Sequence, residues 1–490
     1  MYHISDVKKY LKCPLMFYNH VHNEPEEFRP YVRLDEKLTE LARLKLQVDQ
    51  YFLGQKNDDK AVALQALKEY DWLIKARFEY DNLRVKVPFL HRTNLGYDVY
   101  FVYCGNYPKD DDIIFYTLTL WVLKNNHIYV NDCYILHFNS EYIRMDALDP
   151  EQLFIISKQF YNDNNKPQKD IKETIFAKMR NFSLILKEMS EIENGPKPKP
   201  IRTNKCTKRN KCLYYQDCFQ DELAIEDNSI LTLVTSQYKY QMLASGIKYL
   251  KDANIDLLEG TRQQYAQIQA DINGGVFVDK HALNGWLANI HYPIAFLDFE
   301  WDTYAIPPYK GMKPYDVLCF EYSLHILNED GSIDHHEYVG TQDCRQKLIE
   351  HMINDIGKKG SIIAYNANGA EKIRIQEMIK QFPQYANELW HIYYRMEDLQ
   401  HPFMLGMVYN TKMKGTYSLK TLMSILDEKA YKSLDINQGM EAVFNWRQID
   451  NGEGSDNEEI LLHLKQYCAM DTYAMVKVFL KLQELAKDFS

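Results

Sequence analysis

Runs of apolar and polar residues divide the chain into three stretches with different predicted elements. In the first stretch, residues 1–225, helical periodicity near the start and from Leu34 to about Leu53 predicts two helical regions. Two alternating segments, LRVKVPFLHR and YDVYFVYCG, follow and predict strands joined by a turn at Thr93–Gly96. A helix (IIFYTLTLWVLKNN) and another strand (DCYILHF) complete a mixed α/β pattern.

The second stretch, residues 226–290, has the longer apolar period of helices and is interpreted as a helical connector. The third stretch, residues 291–490, opens with the strand-like segments PIAFLDFEW, LCFEYSLHIL and HHEYVG. The last two are linked by Asn328–Gly331, a good hairpin turn, so we expect an antiparallel meander. Helices alternating with one strand (SIIAYN) follow. The predicted fold class is α/β, with two α/β domains flanking the connector.

The composition is that of an ordinary globular protein and limits the possible functions. The 490 residues are 46% hydrophobic and 26% charged, which suits two or three domains with ordinary cores. The first residues are polar, and no window approaches ~18 apolar residues, so we expect a cytoplasmic protein without a membrane span. The formal net charge of −10 argues against a protein coated in nucleic acid.

One local stretch departs from this acidic balance. Residues 195–211 contain seven Lys or Arg and no acid. An enzyme needs only a local basic track of this kind to hold a nucleic-acid backbone, and Lys205, Lys208 and Arg209 are the candidate contacts. A solvated linker is the alternative interpretation, and the sequence does not decide between them.

Two pairs of side chains in the third stretch carry the strongest chemical signal. Asp298 and Glu300 end an apolar strand and, being two residues apart, share one of its faces. Tyr467 and Asp471 lie four apart in a predicted helix, so they also share a face. Like charges held together repel, so such acids are expected where a divalent cation reverses the sign of the interaction.

Glu371, which begins the helix after SIIAYNANGA, is the fourth acid. Acids on a strand, at a helix start and on a late helix can converge at one edge of a sheet. Two Mg²⁺ or Mn²⁺ ions ~3.5–4 Å apart would flank a scissile phosphate there, and hard oxygen ligands suit these ions rather than zinc. Each signal alone has a plainer explanation, such as a first-turn acid favoured by the helix dipole. Their order and spacing together favour a metal site.

The order of four segments resembles a known nuclease family. LDFE, YNANGAEK, GTYSLKTLMSIL and QYCAMDT follow one another as motifs do in the DnaQ-like, or DEDD, 3′–5′ exonucleases, which have an RNase H-like fold. Asp298 and Glu300 match the first motif of that family. Tyr467 and Asp471 match the tyrosine form of its last motif, because Gln466 stands where the histidine form needs histidine. By this likeness Asp298 would bridge both metal ions, and Glu300 and Asp471 would complete their sites. Tyr467 would orient the attacking water.

The second motif departs from the family pattern. Asn366 matches its asparagine, but Glu371 stands where the family has aspartate and Ala370 where an aromatic residue is usual. Asp398 is a candidate to support the metal site, with a turn or cap aspartate as the alternative. Lys420 is a candidate contact to a backbone phosphate, with a solvated helix lysine as the alternative.

The whole chain, from KKYLKCPLMFYNH to YCAMDTYAM, also resembles an uncharacterised bacterial family. That family fuses a RecB-like domain, which has a restriction-endonuclease-like α/β fold of the PD-(D/E)XK type, to a DnaQ-like domain. The resemblance implies a RecB-like domain over residues 1–225, the connector over 226–290 and a DnaQ-like exonuclease domain over 291–490.

Three of the nine cysteines lie close together in the sequence, and a fourth lies far from them in a motif-like segment. Cys206, Cys212 and Cys218 fall within thirteen residues, and Cys13 lies in the segment KCPLMFY near the start. The pattern resembles the iron–sulfur RecB-like nucleases, where one early and three late cysteines bind a [4Fe–4S] cluster. By count, four thiolates suit zinc equally. Free thiols grouped by chance are the third alternative.

The catalytic residues of a RecB-like nuclease are missing from the predicted strands. Lys86 stands where the family aspartate is expected, and Phe101 and Tyr103 stand at the two E-x-K positions. Glu40 remains on the preceding helix, but one acid cannot hold a catalytic metal. We therefore interpret the first domain as catalytically inactive, with a residual role in gripping nucleic acid or a partner.

The sequence thus predicts a metal-dependent 3′–5′ exonuclease, with single-stranded nucleic acid or a 3′ end as substrate and one active site in the third stretch. The alternative is a non-catalytic adaptor that binds nucleic acid or protein in repair or defence. A redox protein that uses the cysteine-bound cluster is the weakest possibility, since no dinucleotide-binding glycine motif accompanies the cysteines. Nothing in the sequence distinguishes DNA from RNA, and it identifies no protein partner or oligomeric state.

Overall fold

The computed structural model describes residues 1–23, 35–206, 212–219, 226–431, 436, 439–450, 452 and 457–487. The chain is a mixed α/β protein with several mixed sheets. It forms two compact units. The first comprises Met1–Phe219 and Tyr304–Tyr315, and the second comprises Gln220–Thr303 and Asp316–Ser490. Among the described residues, no helix combines the length and the apolarity that a membrane crossing requires.

A seven-stranded mixed sheet forms the centre of the first unit. Its strands are β1 Tyr2–His3, β2 Phe52–Leu53, β3 Trp72–Tyr80, β4 Leu83–Thr93, β5 Gly96–Val102, β6 Val130–Phe138 and β7 Phe154–Ser157. The order is β2-β3-β4-β5-β6-β7, with β1 beside β4. A separate hairpin consists of β8 Gln159–Tyr161 and β9 Pro167–Asp170.

Nine helices accompany these strands within the described part of the first unit. They are α1 Ile4–Lys12, α2 Pro14–His22, α3 Asp35–Lys45, α4 Lys60–Glu69, α5 Ile113–Asn125, α6 Pro150–Leu153, α7 Ile171–Ala177, α8 Ser183–Asn194 and α9 Tyr215–Cys218. α5 is apolar on almost every face and lies in the main core, where its residues 116–123 are all buried. This burial explains its composition, because a helix that is apolar all round must be covered on all sides.

The predicted strands β4, β5 and β6 and the predicted helix α5 are confirmed. The helix expected from Leu34 to about Leu53 is wrong beyond Lys45. Gln47 adopts a left-handed backbone (φ 54°), and the chain then enters β2. β3 was missed because WLIKARFEY mixes charges into the strand. Only the register with β4 shows which face is buried.

The segment Tyr304–Tyr315 groups with the first unit although the sequence analysis left it inside the third stretch. Its apolar residues explain the grouping. Ala305 and Ile306 are buried against Phe138 and Phe154, and the ring of Tyr315 meets Phe138 edge-on at 5.8 Å.

The second unit contains a five-stranded mixed sheet in the order β13-β12-β11-β14-β15. Its strands are β11 Ile294–Thr303, β12 Val317–Leu327, β13 Ile333–Val339, β14 Ser361–Ala364 and β15 Met396–Asp398. β11, β12 and β13 are antiparallel neighbours, as predicted for the meander, and β14 and β15 run parallel to β11. A smaller antiparallel pair consists of β10 Val276–Val278 and β16 Val408–Asn410.

The helices of the second unit are α10 Lys239–Ala244, α11 Arg262–Ile272, α12 Lys280–Leu287, α13 Arg345–Ile356, α14 Glu371–Gln381, α15 Ala386–Tyr394, α16 His401–Met404, α17 Leu419–Leu426, α18 Gly439–Asp450 and α19 Asn457–Ala486. The helical interpretation of residues 226–290 is wrong over most of residues 231–250. Thr235 adopts a left-handed backbone (φ 48°), and only α10 and short 3₁₀ turns form there. These turns bury their own small apolar core around Ile230 and Met242.

The central strand β11 separates two cores by alternation. Leu297 and Phe299 join the core formed with α13, α14 and α15. Ile294 and Phe296 face the other way and join the core formed with α12 and α19, where Phe296 meets Phe479 at 5.7 Å. A side chain at an even position of β11 therefore points towards α19.

Candidate functional site

Three carboxylates from two distant parts of the chain come together between β11 and α19. Asp298 and Glu300 occupy successive even positions of β11, and Asp471 lies on α19. One carboxylate oxygen from each lies within 4.8 Å of the other two. Among the described residues, this is the one group of three acid, histidine or cysteine side chains that meets this distance.

Local structure explains how the two strand acids come to lie under the helix. Asp298 pairs with Ser323 and Glu300 with Glu321 across the antiparallel ladder with β12. The register shifts between Glu300 and Trp301, so a β-bulge lies at the site, and the ladder with β12 resumes at Trp301. The thiol of Cys468, on α19, lies 3.6 Å from the Asp298 carboxylate.

Burial and mutual repulsion disfavour the charged forms of the three acids. Burial by the surrounding protein raises the pKa of Asp298 and of Glu300 well above the ordinary values, and the Asp471 charge raises both further. Burial also raises the pKa of Asp471, while hydrogen bonds from Tyr431 and Tyr467 and the charge of Lys420 oppose that shift. Since a divalent cation would remove the repulsion, this donor set of oxygens fits Mg²⁺ or Mn²⁺.

Glu371 lies beside this group without belonging to it. It is the first residue of α14 and is buried, and one of its carboxylate oxygens has no hydrogen-bond partner among the described residues. Burial raises the pKa of Glu371 to about 8. Its charge in turn contributes to the raised pKa of both Asp298 and Glu300. The fourth predicted acid is therefore near enough to act on the site but is not within 4.8 Å of all three others.

Two tyrosines hold Asp471. Tyr467, one turn earlier on α19, hydrogen-bonds to its carboxylate, as the four-residue spacing allows. The Tyr431 hydroxyl donates to the same carboxylate at 2.5 Å. The sequence analysis missed Tyr431, because it lies forty residues from Asp471 in a segment with no motif. Only the tertiary contact identifies it.

Lys420 is the one cation that the sequence analysis proposed at this site, and it lies there. Its ammonium group is 4.9 Å from the centre of the Tyr467 ring and 5.5 Å from that of Tyr431. Its positive charge lowers the pKa of Glu300 and of Asp471, against the effect of burial. The predicted position of Lys420 beside the acids is therefore confirmed.

Asp398 organises the loop before α14. Its carboxylate accepts backbone N–H groups from Asn366 at 3.0 Å, from Asn368 at 3.4 Å and from Gln400 at 2.9 Å. Asn366 itself adopts a left-handed backbone (φ 60°), which these bonds hold in place. The geometry is that of the turn aspartate, which was the alternative interpretation of Asp398.

The four candidate cysteines of the first unit are brought into one neighbourhood. Burial raises the pKa of the Cys218 thiol to about 11, and Cys212, Cys13 and Cys206 all add to the shift. The Cys212 amide donates to the Cys206 carbonyl at 2.8 Å. No three of these sulfur atoms lie within 4.8 Å of one another. A four-iron cluster and a tetrahedral zinc ion both take four thiolates, so this donor set fits either group.

Of the three basic residues proposed as a nucleic-acid track, Lys205 is exposed. Lys208 and Arg209 lie outside the described residues.

The first-unit positions that the sequence analysis compared with RecB-like nucleases do not form a second acidic site among the described residues. Glu40 is bound by Arg43 at 2.7 and 2.9 Å, and Lys86 pairs with Asp35 at 3.4 Å. Both line a cavity of about 500 Å³ that also contains Lys75 and Arg77. Phe101 and Tyr103 belong to the apolar core instead.

A family model described as a domain of unknown function (DUF2779) matches residues 295–418. The matched range contains Asp298, Glu300 and Glu371 and ends before Asp471. No curated protein matches the chain, and no solved structure matches it.

Proposed function

We propose that this protein is a metal-dependent 3′–5′ exonuclease with one active site in its second unit. The observation that carries the proposal is the convergence of Asp298, Glu300 and Asp471 within 4.8 Å, with Glu371 beside them. The order of the five-stranded sheet supports the RNase H-like fold that the motif resemblance implies, since the first acidic strand is central.

Each residue of the site has its own role in the proposed reaction. Bound divalent cations would supply Lewis-acid activation of a water and charge stabilisation at the phosphate. Asp298, Glu300 and Asp471 would hold them, with Glu371 completing the set. Tyr467, fixed by its hydrogen bond to Asp471, orients the attacking water. Lys420 lies where it can pair with a non-bridging phosphate oxygen.

The reaction is a hydrolysis that balances without a further reactant. The water oxygen forms a bond to the phosphorus of the terminal nucleotide, and the bond from phosphorus to the 3′ oxygen of the preceding nucleotide breaks. The leaving 3′ oxygen takes up a proton, and the attacking water loses one. The products are a nucleoside monophosphate and a strand shortened by one residue.

The test is a nuclease assay on end-labelled single strands of DNA and of RNA with Mg²⁺ or Mn²⁺. Asp298→Asn should lower the rate by at least about a hundredfold, because it removes a ligand while keeping the side-chain shape. The matched control is Glu329→Gln, which changes an exposed acid of the β12–β13 turn and should act like wild type. Equal rates for wild type and Asp298→Asn would refute the assignment.

An adaptor is the second candidate function, because charged side chains of the first unit pair with one another rather than forming a catalytic set. Glu40 pairs with Arg43, and Lys75 and Lys86, which line the cavity beside it, both pair with Asp35. An adaptor need not bind Mn²⁺ at the acidic site of the second unit. Calorimetric titration with Mn²⁺ therefore separates the two candidates.

A further inference from the structure

A fifth acid is buried against the site. Glu321, in the middle of β12, is only 1% exposed. Neither of its carboxylate oxygens has a hydrogen-bond partner among the described residues. A buried carboxyl group without a partner costs free energy, so it requires an explanation.

The register of the sheet places Glu321 next to the acids already described. It is the direct cross-strand partner of Glu300 in the antiparallel ladder. Directly opposed residues share a face, and their Cβ atoms lie about 4.5–5.5 Å apart. Leu327, at the same parity of β12, packs into the core with α19, whereas Tyr322 and Leu324 pack on the opposite side. Glu321 therefore points to the face that bears Asp298 and Glu300.

The neighbouring charged side chains do not offset the burial of the negative charge of Glu321. Burial raises its pKa well above the ordinary value, and the charges of Glu300 and Glu337 raise it further. Lys465 opposes these effects, but its ammonium group already pairs with Glu337 at 3.0 Å. The pKa of the Cys468 thiol, next to Asp298, is also raised by nearby negative charges, and the charge of Glu321 has the largest effect among them. The protein thus concentrates negative charge at this position.

We propose that Glu321 is part of the cation site and accepts hydrogen bonds from water molecules carried by the cation that Glu300 holds. This inference rests on the metal site of the proposed function but not on its nucleic-acid substrate. Among the described residues, Glu321 belongs to no group of three donors whose atoms all lie within 4.8 Å of one another, so it is placed as an acceptor for hydration water rather than as a shared direct ligand. Mg²⁺ keeps several of its waters when bound to protein, and those waters need acceptors.

The experiment measures Mn²⁺ binding to the chelator-treated full-length protein by calorimetry. Glu321→Gln keeps the shape of the side chain and removes its charge. We expect its affinity for Mn²⁺ to fall about tenfold or more, with an unchanged number of bound ions. Its melting temperature in EDTA should stay within about 2 °C of wild type. Glu321→Asp, which keeps a carboxylate, should recover part of the affinity and provides a second variant if the first folds poorly.

Glu329→Gln is the matched control. It changes an exposed acid of the turn between β12 and β13, whose charge does not act on Glu321. We expect its Mn²⁺ affinity to match wild type. Wild-type affinity in Glu321→Gln, or loss of a bound ion, would overturn the inference.

The same titration distinguishes this failure from a failure of the proposed function. If Glu321→Gln binds like wild type while Asp298→Asn loses Mn²⁺, only the role of Glu321 is lost. If Asp298→Asn also binds like wild type, the metal site itself is wrong. Tight Mn²⁺ binding that depends on Glu321, without hydrolysis of any nucleic acid, would leave the inference intact and remove the exonuclease.

Discussion

At the scale of single residues, the site is a set of acids that the fold holds against their own repulsion. Glu371 shows the cost most clearly, because it is buried, has one carboxylate oxygen unpartnered and lies next to the charge of Asp398. Tyr431 and Tyr467 partly offset the same cost at Asp471 by hydrogen bonding. A protein without a cation would be more stable with uncharged residues in place of such acids, so their presence together favours a metal-binding role.

The stability of the metal-free protein should fall as the pH rises. An acid with a raised pKa binds its proton more tightly in the folded state. This tighter proton binding contributes fully to the free energy of unfolding below the ordinary pKa of the acid. The contribution is lost as the pH rises to the pKa of the acid in the folded protein, which for Glu371 is about 8. In EDTA we expect the melting temperature to decline from about pH 5 to about pH 8, and saturating Mn²⁺ to remove much of the decline.

Glu371→Gln should flatten this decline, because it removes one of the titrating groups. Calorimetric melts across the pH range measure the effect, and Glu329→Gln, at an exposed turn, serves as control. A metal-free protein whose stability is independent of pH over this window would contradict the expected shift.

At the scale of elements, α19 determines whether the acids meet. It has Tyr467, Cys468 and Asp471 on the side that covers β11 and β12. Further along, Phe479 is buried between Phe296 at 5.7 Å and Trp286 at 6.4 Å. This aromatic contact fixes the helix against the acid-bearing strand, so packing at one end of α19 supports the geometry at the other.

Phe479→Ala should destabilise the protein by about 3–5 kcal/mol, because it removes a buried ring and leaves a cavity. Its neighbour Leu480 is 39% exposed, and Leu480→Ala should change the free energy of unfolding by no more than about 0.5 kcal/mol. Denaturant unfolding of both variants measures the difference. If the two variants lost similar stability, α19 would not depend on this contact.

At the scale of the whole molecule, the two units contain two different kinds of metal-ligand atom. The first groups the thiols of Cys13, Cys206, Cys212 and Cys218, and the second groups carboxylate oxygens. Thiolates favour iron–sulfur clusters or zinc, whereas carboxylates favour Mg²⁺ or Mn²⁺. We therefore propose two independent metal requirements in one chain, with the thiol site taking a [4Fe–4S] cluster.

Cys212→Ser should abolish cluster binding and leave Mn²⁺ titration of the acidic site unchanged. The measurement is iron content and visible absorbance after anaerobic purification, together with calorimetry. Cys104→Ser, at an exposed cysteine remote in sequence from the four, is the control and should keep its iron. Zinc instead of iron in the purified wild type would favour the alternative metal.

The sequence predicts those features of the site that depend on residues close together along the chain. The faces of Asp298 and Glu300 on one strand, and of Tyr467 and Asp471 on one helix, follow from local periodicity. The helix α5 and the strands β4 to β6 were predictable for the same reason. Strand β3 and the end of α3 were not, because registers and single left-handed residues decide them.

The sequence by itself therefore determined which acids share a face and in what order their motifs occur, since these depend on neighbours a few residues apart. Tertiary structure alone decided that Tyr431 binds Asp471, that Glu371 stands just outside the group of three, and that Glu321 lies opposite Glu300. The physical reason is that pairing between strands and packing of a distant helix bring together residues whose separation along the chain carries no periodic signal.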